Sequence, residues 1–212
     1  MESVIRDIAI LLVPILLAVT FHEMAHGWVA DKLGDPTARL LGRITLNPIK
    51  HLDPIGTLVF FLTHMIGWAR PVPVNPLHFK DPVKGMMWVA IAGPVTNLFL
   101  AAVSAIIFRI ILVSGLLFDP SISFIMKPIY MMVQASVIIN IGLAVFNILP
   151  IPPLDGSKIL MGLLSREQAE VFARIEPYGF LILILLIMTD IVSAILSPII
   201  GFSVGLLLEG RF

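Results

Sequence analysis

The sequence predicts an all-α polytopic membrane protein with about four to five transmembrane helices, on three observations. Of its 212 residues 58% are apolar and only 13% are charged, and the mean hydropathy is +1.01. A soluble domain carries about 25% charged residues, so too little polar surface remains here to cover a soluble particle. Several apolar stretches are long enough to cross hydrocarbon about 30 Å thick at about 1.5 Å per helical residue. The few charges gather in the connections between those stretches.

This composition excludes a cytosolic enzyme, a disordered chain and a nucleic-acid binder with a basic surface. Lysine and arginine number 14, as do aspartate and glutamate, so no net field draws the chain to nucleic acid or anionic lipid. There is no cysteine, which removes disulfides, thiolate zinc sites and cysteine nucleophiles. A metal site must be built from His, Asp, Glu or Asn.

The main spans run from about Val4 to Ala30, Val83 to Val113 and Pro128 to Leu149. A last apolar stretch, Tyr178 to Leu208, suffices for one tilted helix, while Ser197-Pro198 and Gly201 offer a break into a span and a membrane-surface tail. Between the first two main spans, the 14 residues Ile55–Trp68 would reach only about 21 Å as a helix. Flanked by Pro54, Gly56, Gly67 and Pro71, they are expected to dip into the membrane and return. Ala38–Pro48 mixes β-branched, polar and turn residues without a helical period, which predicts a short membrane-associated β-ribbon. The N-terminus holds Glu2, Arg6 and Asp7 and lacks a cleavage site. It is read as part of the mature protein, not as a signal peptide. With no internal repeat and no room for an extra module in the connections, residues 1–212 read as one membrane-embedded domain.

Loop charge sets the orientation. Lys32, Arg39, Arg43, Lys50, Arg70, Lys80 and Lys84 lie between the first two main spans, and Lys158, Arg166 and Arg174 between the third and the last. The connection Ser114–Lys127 holds only Lys127. The positive-inside rule places the first and third of these connections in the cytoplasm.

The chemistry concentrates in Phe21-His22-Glu23-Met24-Ala25-His26, an H-E-x-x-H sequence at the end of the first span. Histidines four apart share a helix face and reach one metal ion. Glu23 lies about 100° round the helix, where it can act on a water held by that metal, a zinc ion. Ionisable residues inside a hydrophobic span mark functional sites by default, whereas a lone buried histidine is more often hydrogen-bonded core.

A catalytic zinc takes three protein ligands and one open position. His51, His64 and His78 all fall in the first connection. Among carboxylates, Asp155 in Asn147-Ile-Leu-Pro-Ile-Pro-Pro-Leu-Asp155-Gly156 is the most suggestive. It follows the third span, so it lies on the same cytoplasmic side as His22 and His26. Pro150, Pro152 and Pro153 preclude helix there and let the backbone turn inward. On its own Asp155-Gly156 would read as an ordinary turn. Gly93, Asn97, Ala101 and Ala105 form a small-residue face on the second span that lets helices approach closely. Ser136, Asn140, Ala144 and Asn147 form a polar and small stripe on the third. Helix packing is the favoured role for Ser136, Asn140 and Asn97. Asn147, at the end of its helix nearest the site, can donate to a developing oxyanion.

The chain resembles the site-2 proteases, the intramembrane zinc metalloproteases of peptidase family M50, over most of its length. The resemblance rests on His22-Glu23-x-x-His26, Gly93-Pro94-x-x-Asn97, and Asn147 with Leu154-Asp155-Gly156. Leu41-Gly42-Arg43-Ile44-Thr45-Leu46-Asn47-Pro48 also looks like the family's membrane-embedded strand region. It is similar to the small members, without the PDZ or CBS domains of the larger ones. The resemblance implies that His22, His26 and Asp155 hold one zinc ion per chain, that Glu23 is the general base and that Asn147 assists at the oxyanion. The implied enzyme is a multi-pass cell-membrane zinc endopeptidase with its site toward the cytoplasm. It would cut peptide bonds in or near transmembrane segments of protein substrates within the lipid bilayer, with no nucleic-acid partner. An edge strand of the 38–48 ribbon would hold the unwound substrate.

Two rivals stand beside this reading. A metal transporter would want acidic or histidine residues lining a path across the bilayer, whereas these cluster at one level. A membrane zinc protease with a glutamate third ligand would draw on Glu167, Glu170, Glu176 or Glu209, of which Glu167 and Glu170 lie on a polar surface helix.

Overall fold

A computed structural model describes residues 2–56 and 69–210, with side chains described from Ile8 onward. Its helices are α1 (Glu2–Lys32), α2 (Thr37–Leu40), α3 (Pro82–Val113), α4 (Ser123–Asn147), α5 (Asp155–Leu163), α6 (Arg166–Ala173), α7 (Gly179–Met188) and α8 (Ile191–Glu209). Among the described residues, five segments are long and apolar enough to cross a membrane: Ile8–Lys32, Pro82–Val113, Ser123–Asn147, Arg166–Met188 and Ile191–Glu209. The protein is therefore a mostly helical, multi-pass membrane protein. Large apolar side chains such as Leu17, Phe99, Ile106 and Phe202 stand exposed along these helices, as expected where lipid is the solvent.

Two sequence expectations are corrected. The ribbon over Ala38–Pro48 does not form. That stretch is the end of α2, turns, and the start of a 3-10 turn at Pro48–Lys50. The cause is local capping. Gly42 adopts φ 61°, so its N–H bonds the Arg39 carbonyl and the Arg43 N–H bonds the Ala38 carbonyl. This paired return closes the C-terminus of a helix and spends the backbone groups a ribbon would need. Among the described residues the one isolated β-bridge pairs Leu52 with Ala69. The break in the last apolar stretch falls at Asp190, not at Pro198, which lies inside α8. Asp190 sits in the left-handed region at φ 57°, a conformation that stops a right-handed helix and that aspartate tolerates better than most residues. Beyond Gly56, the dipping segment expected over Ile55–Trp68 lies outside the described residues.

The chain divides into two compact units. The first comprises Met1–Ala18, Asn97–Asn147 and Leu181–Phe212. Its core is Ala101 and Ala105 of α3 with Val137 and Ile141 of α4, flanked by Ile200, Val204, Leu207 and Leu208 of α8. The small residues of α3 let the helices close up, and amides then stitch them together. Asn97 donates to the Asn140 side-chain oxygen at 2.8 Å and to the Ala18 carbonyl at 3.2 Å. The Ser104 and Ser136 hydroxyls bond at 2.9 Å. The helix-packing role expected for Ser136, Asn140 and Asn97 matches these contacts. Arg109 donates to the Leu207 carbonyl at 3.1 Å, satisfying a group that the end of α8 leaves without an intrahelical donor.

The second unit comprises Val19–Thr96 and Ile148–Phe180. Ala30, Phe79 and Val89 form its core. Asp35, fully buried, ties together the connection after α1. It accepts from the Thr37 hydroxyl at 2.5 Å, the Asn75 N–H at 2.7 Å and His78 Nδ1 at 2.6 Å. Burial alone would push this carboxyl up. The hydrogen bonds from Thr37, His78 and Asn75 outweigh it and lower the pKa from 3.8 to about 2. Asp35 thereby anchors one end of Arg70–Asn75, a segment without regular secondary structure that Pro71, Pro73 and Pro76 bias toward extended backbone; its other end is anchored by the Arg70 N–H on the His51 carbonyl at 2.8 Å.

Candidate metal centre

Within the second unit, the last turns of α1 carry His22, Glu23 and His26. Four-residue spacing puts both imidazoles on one face, and their rings meet edge to face with centroids 4.6 Å apart. Both residues are buried. Asp155 arrives from the far end of the sequence as the first residue of α5, just after a loop containing the cis Pro152–Pro153 peptide. An aspartate in the first turn suits the positive end of a helix dipole. A Cβ on Gly156 would lie 2.0 Å from the Ile148 carbonyl oxygen, so glycine is needed for the loop to fold this closely onto the helix start.

Asp155 Oδ2 lies 3.2 Å from His22 Nε2 and 3.4 Å from His26 Nε2. The ligand atoms of these three residues all fall within 4.8 Å of one another, the one such His/Asp/Glu group among the described residues. Three features of the structure fit a metal ion. Asp155 Oδ2 is buried without a hydrogen-bond partner among the described residues, an arrangement that is costly unless something charged completes it. His26 Nδ1 lies 2.7 Å from the Val89 carbonyl. It donates there, which leaves the Nε2 lone pair for a metal. Gly93 of α3 faces both rings, and a Cβ there would stand 2.5 Å from His22 Cε1 and 2.6 Å from His26 Cε1. Two histidines and a carboxylate are a donor set for zinc with an open fourth position.

Glu23 accepts the Val72 N–H on Oε2 at 3.0 Å. Val72 belongs to the Arg70–Asn75 segment, and the same segment is held by Arg43, whose Nη2 donates to the Arg70 carbonyl at 2.8 Å and the Pro71 carbonyl at 3.3 Å. Burial and the nearby positive charge of Arg70 press the Arg43 guanidinium below its ordinary value, opposed by Glu23. Neither Arg43 nor Val72 was singled out for a role by sequence reasoning. The available signal was Pro71-Val72-Pro73, in which one residue alone can donate a backbone hydrogen bond.

The other sequence candidates have separate placements. His51 Nε2 pairs with the Thr45 carbonyl at 2.9 Å and His78 with Asp35, while His64 lies outside the described residues. Glu170 pairs with Arg166 on exposed α6, and Glu176 pairs with Lys158. Asn147 ends α4, in the first unit, where its amide donates to the Leu143 carbonyl at 3.0 Å.

The family description Peptidase family M50 matches residues 113–189. "Putative zinc metalloprotease YwhC" of Bacillus subtilis is 38% identical over 191 residues, covering 90% of this chain and 85% of that one. The chain belongs to peptidase family M50. It is therefore a metalloendopeptidase by class, consistent with a small site-2 protease. "Putative zinc metalloprotease Rip2" of Mycolicibacterium smegmatis is 28% identical over 82% of this chain and 64% of its own length. "Zinc metalloprotease MJ0392" of Methanocaldococcus jannaschii is 27% identical over 75% of this chain, which spans 35% of that protein. No solved structure matches the chain.

Proposed function

We propose that this M50 member is an intramembrane zinc endopeptidase that cuts peptide bonds in or near transmembrane segments of membrane proteins, with its site toward the cytoplasm. The observation that carries the reading is the His22–His26–Asp155 group, with its ligand atoms within 4.8 Å of one another and Glu23 on the same helical turn. His22 Nε2, His26 Nε2 and Asp155 would hold one zinc ion per chain. When bound, zinc supplies Lewis acidity to the scissile carbonyl and lowers the pKa of water toward neutrality.

The remaining steps belong to the chain. Glu23 takes a proton from the attacking water as its oxygen bonds to the carbonyl carbon. As the C–N bond breaks, Glu23 returns that proton to the leaving nitrogen. The resemblance to site-2 proteases assigns Asn147 to the oxyanion, a role that an amide with two N–H donors can fill. A substrate helix hides its amides in its own hydrogen bonds and must unwind before attack.

The decisive experiment is Glu23→Gln in the full chain, with cleavage of fluorescein-labelled β-casein and zinc content both measured. Zinc retained with cleavage lost is the expected result. Cleavage that persists would refute the assignment of Glu23 as base.

A further inference from the structure

We infer that Arg43 is a positioning residue for Glu23, acting through the single peptide unit that joins Pro71 to Val72. The inference rests on the reading of Glu23 as general base and adds what holds it in place.

Both ends of that peptide unit are engaged. Its carbonyl, on Pro71, accepts from Arg43 Nη2 at 3.3 Å. Its N–H, on Val72, donates to Glu23 Oε2 at 3.0 Å. A peptide unit is planar, so fixing the carbonyl end fixes the direction in which the N–H points. The second bond from the same Nη2, to the Arg70 carbonyl at 2.8 Å, removes the remaining freedom to rotate. A cation on the carbonyl also polarises the unit and strengthens donation by its N–H.

The sequence around the unit is built for this purpose. Pro71 and Pro73 have fixed φ and no N–H, and each holds the residue before it in an extended conformation. Val72 is therefore the only backbone donor in the tripeptide, and its direction is set before Glu23 meets it. Arg43 is buried, at 8% exposure, and its Nε has no partner among the described residues. Burying a guanidinium without a carboxylate partner is costly. Here its charge is turned onto two carbonyls, one of them in the peptide unit that binds the base. With Oε2 engaged by Val72, the other carboxylate oxygen of Glu23 would be the one to accept the proton.

The test uses the full chain in detergent micelles with fluorescein-labelled β-casein as probe, comparing wild type, Arg43→Gln, Arg43→Lys and Glu23→Gln. Arg43→Gln is expected to keep its zinc and its KM within about twofold while kcat falls about tenfold, the signature of a mispositioned base. Arg43→Lys, which keeps a cationic donor, should recover most of kcat, a rescue that a merely space-filling role would not produce. Hydrogen exchange supplies a readout independent of activity, since Val72 carries the one exchangeable amide between Pro71 and Pro73. That amide should be protected in wild type and exchange about tenfold faster in Arg43→Gln. Unchanged kcat or unchanged exchange in Arg43→Gln overturns the inference. If Arg43→Gln does not fold, Glu23→Ala decides by the same exchange measurement: faster exchange at Val72 supports the coupling and unchanged exchange overturns it. Glu23→Gln separates the two readings, because its continued cleavage refutes the base itself, while its loss beside an active Arg43→Gln refutes only the positioning role.

Discussion

Gly93 of α3 lies against His22 of α1 so closely that a Cβ at position 93 would stand 2.6 Å from the Nε2 atom assigned to the metal. The small-residue face of the second main span thus serves the metal centre as well as helix packing. Gly93→Ala should displace one or both imidazoles, because the added Cβ would meet ring atoms of both histidines within 2.6 Å and forced overpacking costs about 1–3 kcal/mol. Zinc per chain is expected to fall well below one in purified Gly93→Ala protein, with cleavage lost in parallel. A full complement of zinc in that variant would show that the cradle is not required.

Replacing Asp155 discriminates between third-ligand assignments. Asp155→Ala removes the buried carboxylate oxygen that stands 3.2 Å from His22 Nε2. Loss of an outer partner alone weakens metal affinity about 10- to 100-fold, so loss of a direct ligand should exceed about 100-fold in chelator competition. Undiminished affinity would return the glutamate architecture to consideration.

Asp35 gives the second unit a defined acid sensitivity. Its carboxyl titrates at about 2 when folded instead of 3.8. A depressed folded value means that its stabilisation is complete above about pH 4 and is lost as pH falls toward 2. The melting temperature of the wild type should therefore decline between pH 4 and 2 more steeply than that of Asp35→Asn. At neutral pH, Asp35→Asn should cost about 1–3 kcal/mol, since at least one of the donors now facing the carboxylate loses its acceptor. Parallel pH profiles for the two proteins would contradict this role.

In the first unit, Asn97 and Asn140 form an amide pair between helices at 2.8 Å. A double-mutant cycle with Asn97→Ala and Asn140→Ala, followed by unfolding in mixed micelles, should give a coupling energy of about 0.6–1.7 kcal/mol. Zero coupling would mean that the pair contributes nothing as a pair.

Much of this architecture could be read from residue patterns because the relevant physics is local. Apolar length specifies a helix that can span lipid, and α3 follows the predicted second span within one residue at its start. The i, i+4 placement of His22 and His26 needs only helix geometry to become a half-site. Over residues 38–48 two local signals compete, and the turn signal prevails. The β-branched residues suggest strand, while Gly42 in the left-handed region supplies the return that ends a helix. At the last stretch the proline drew attention, yet helices tolerate Pro198 where their neighbours re-satisfy the freed carbonyl.

Span composition, the shared helix face of His22 and His26 beside Glu23, and the position of Asp155 just after the third span could be read from the order of residues, since each depends on neighbours within a turn or two. The meeting of Asp155 with histidines more than a hundred positions earlier was an expectation until the chain path brought the oxygen within 3.4 Å of both rings. The hold of Val72 on Glu23, the hold of Arg43 on the Pro71–Val72 unit, and the cradle at Gly93 belong wholly to the folded state. They join groups far apart in sequence through single backbone atoms and bare Cα positions, which leave almost no mark in a residue pattern. Local periodicity records what one helix presents; the distance between two segments is fixed only when packing closes the space between them.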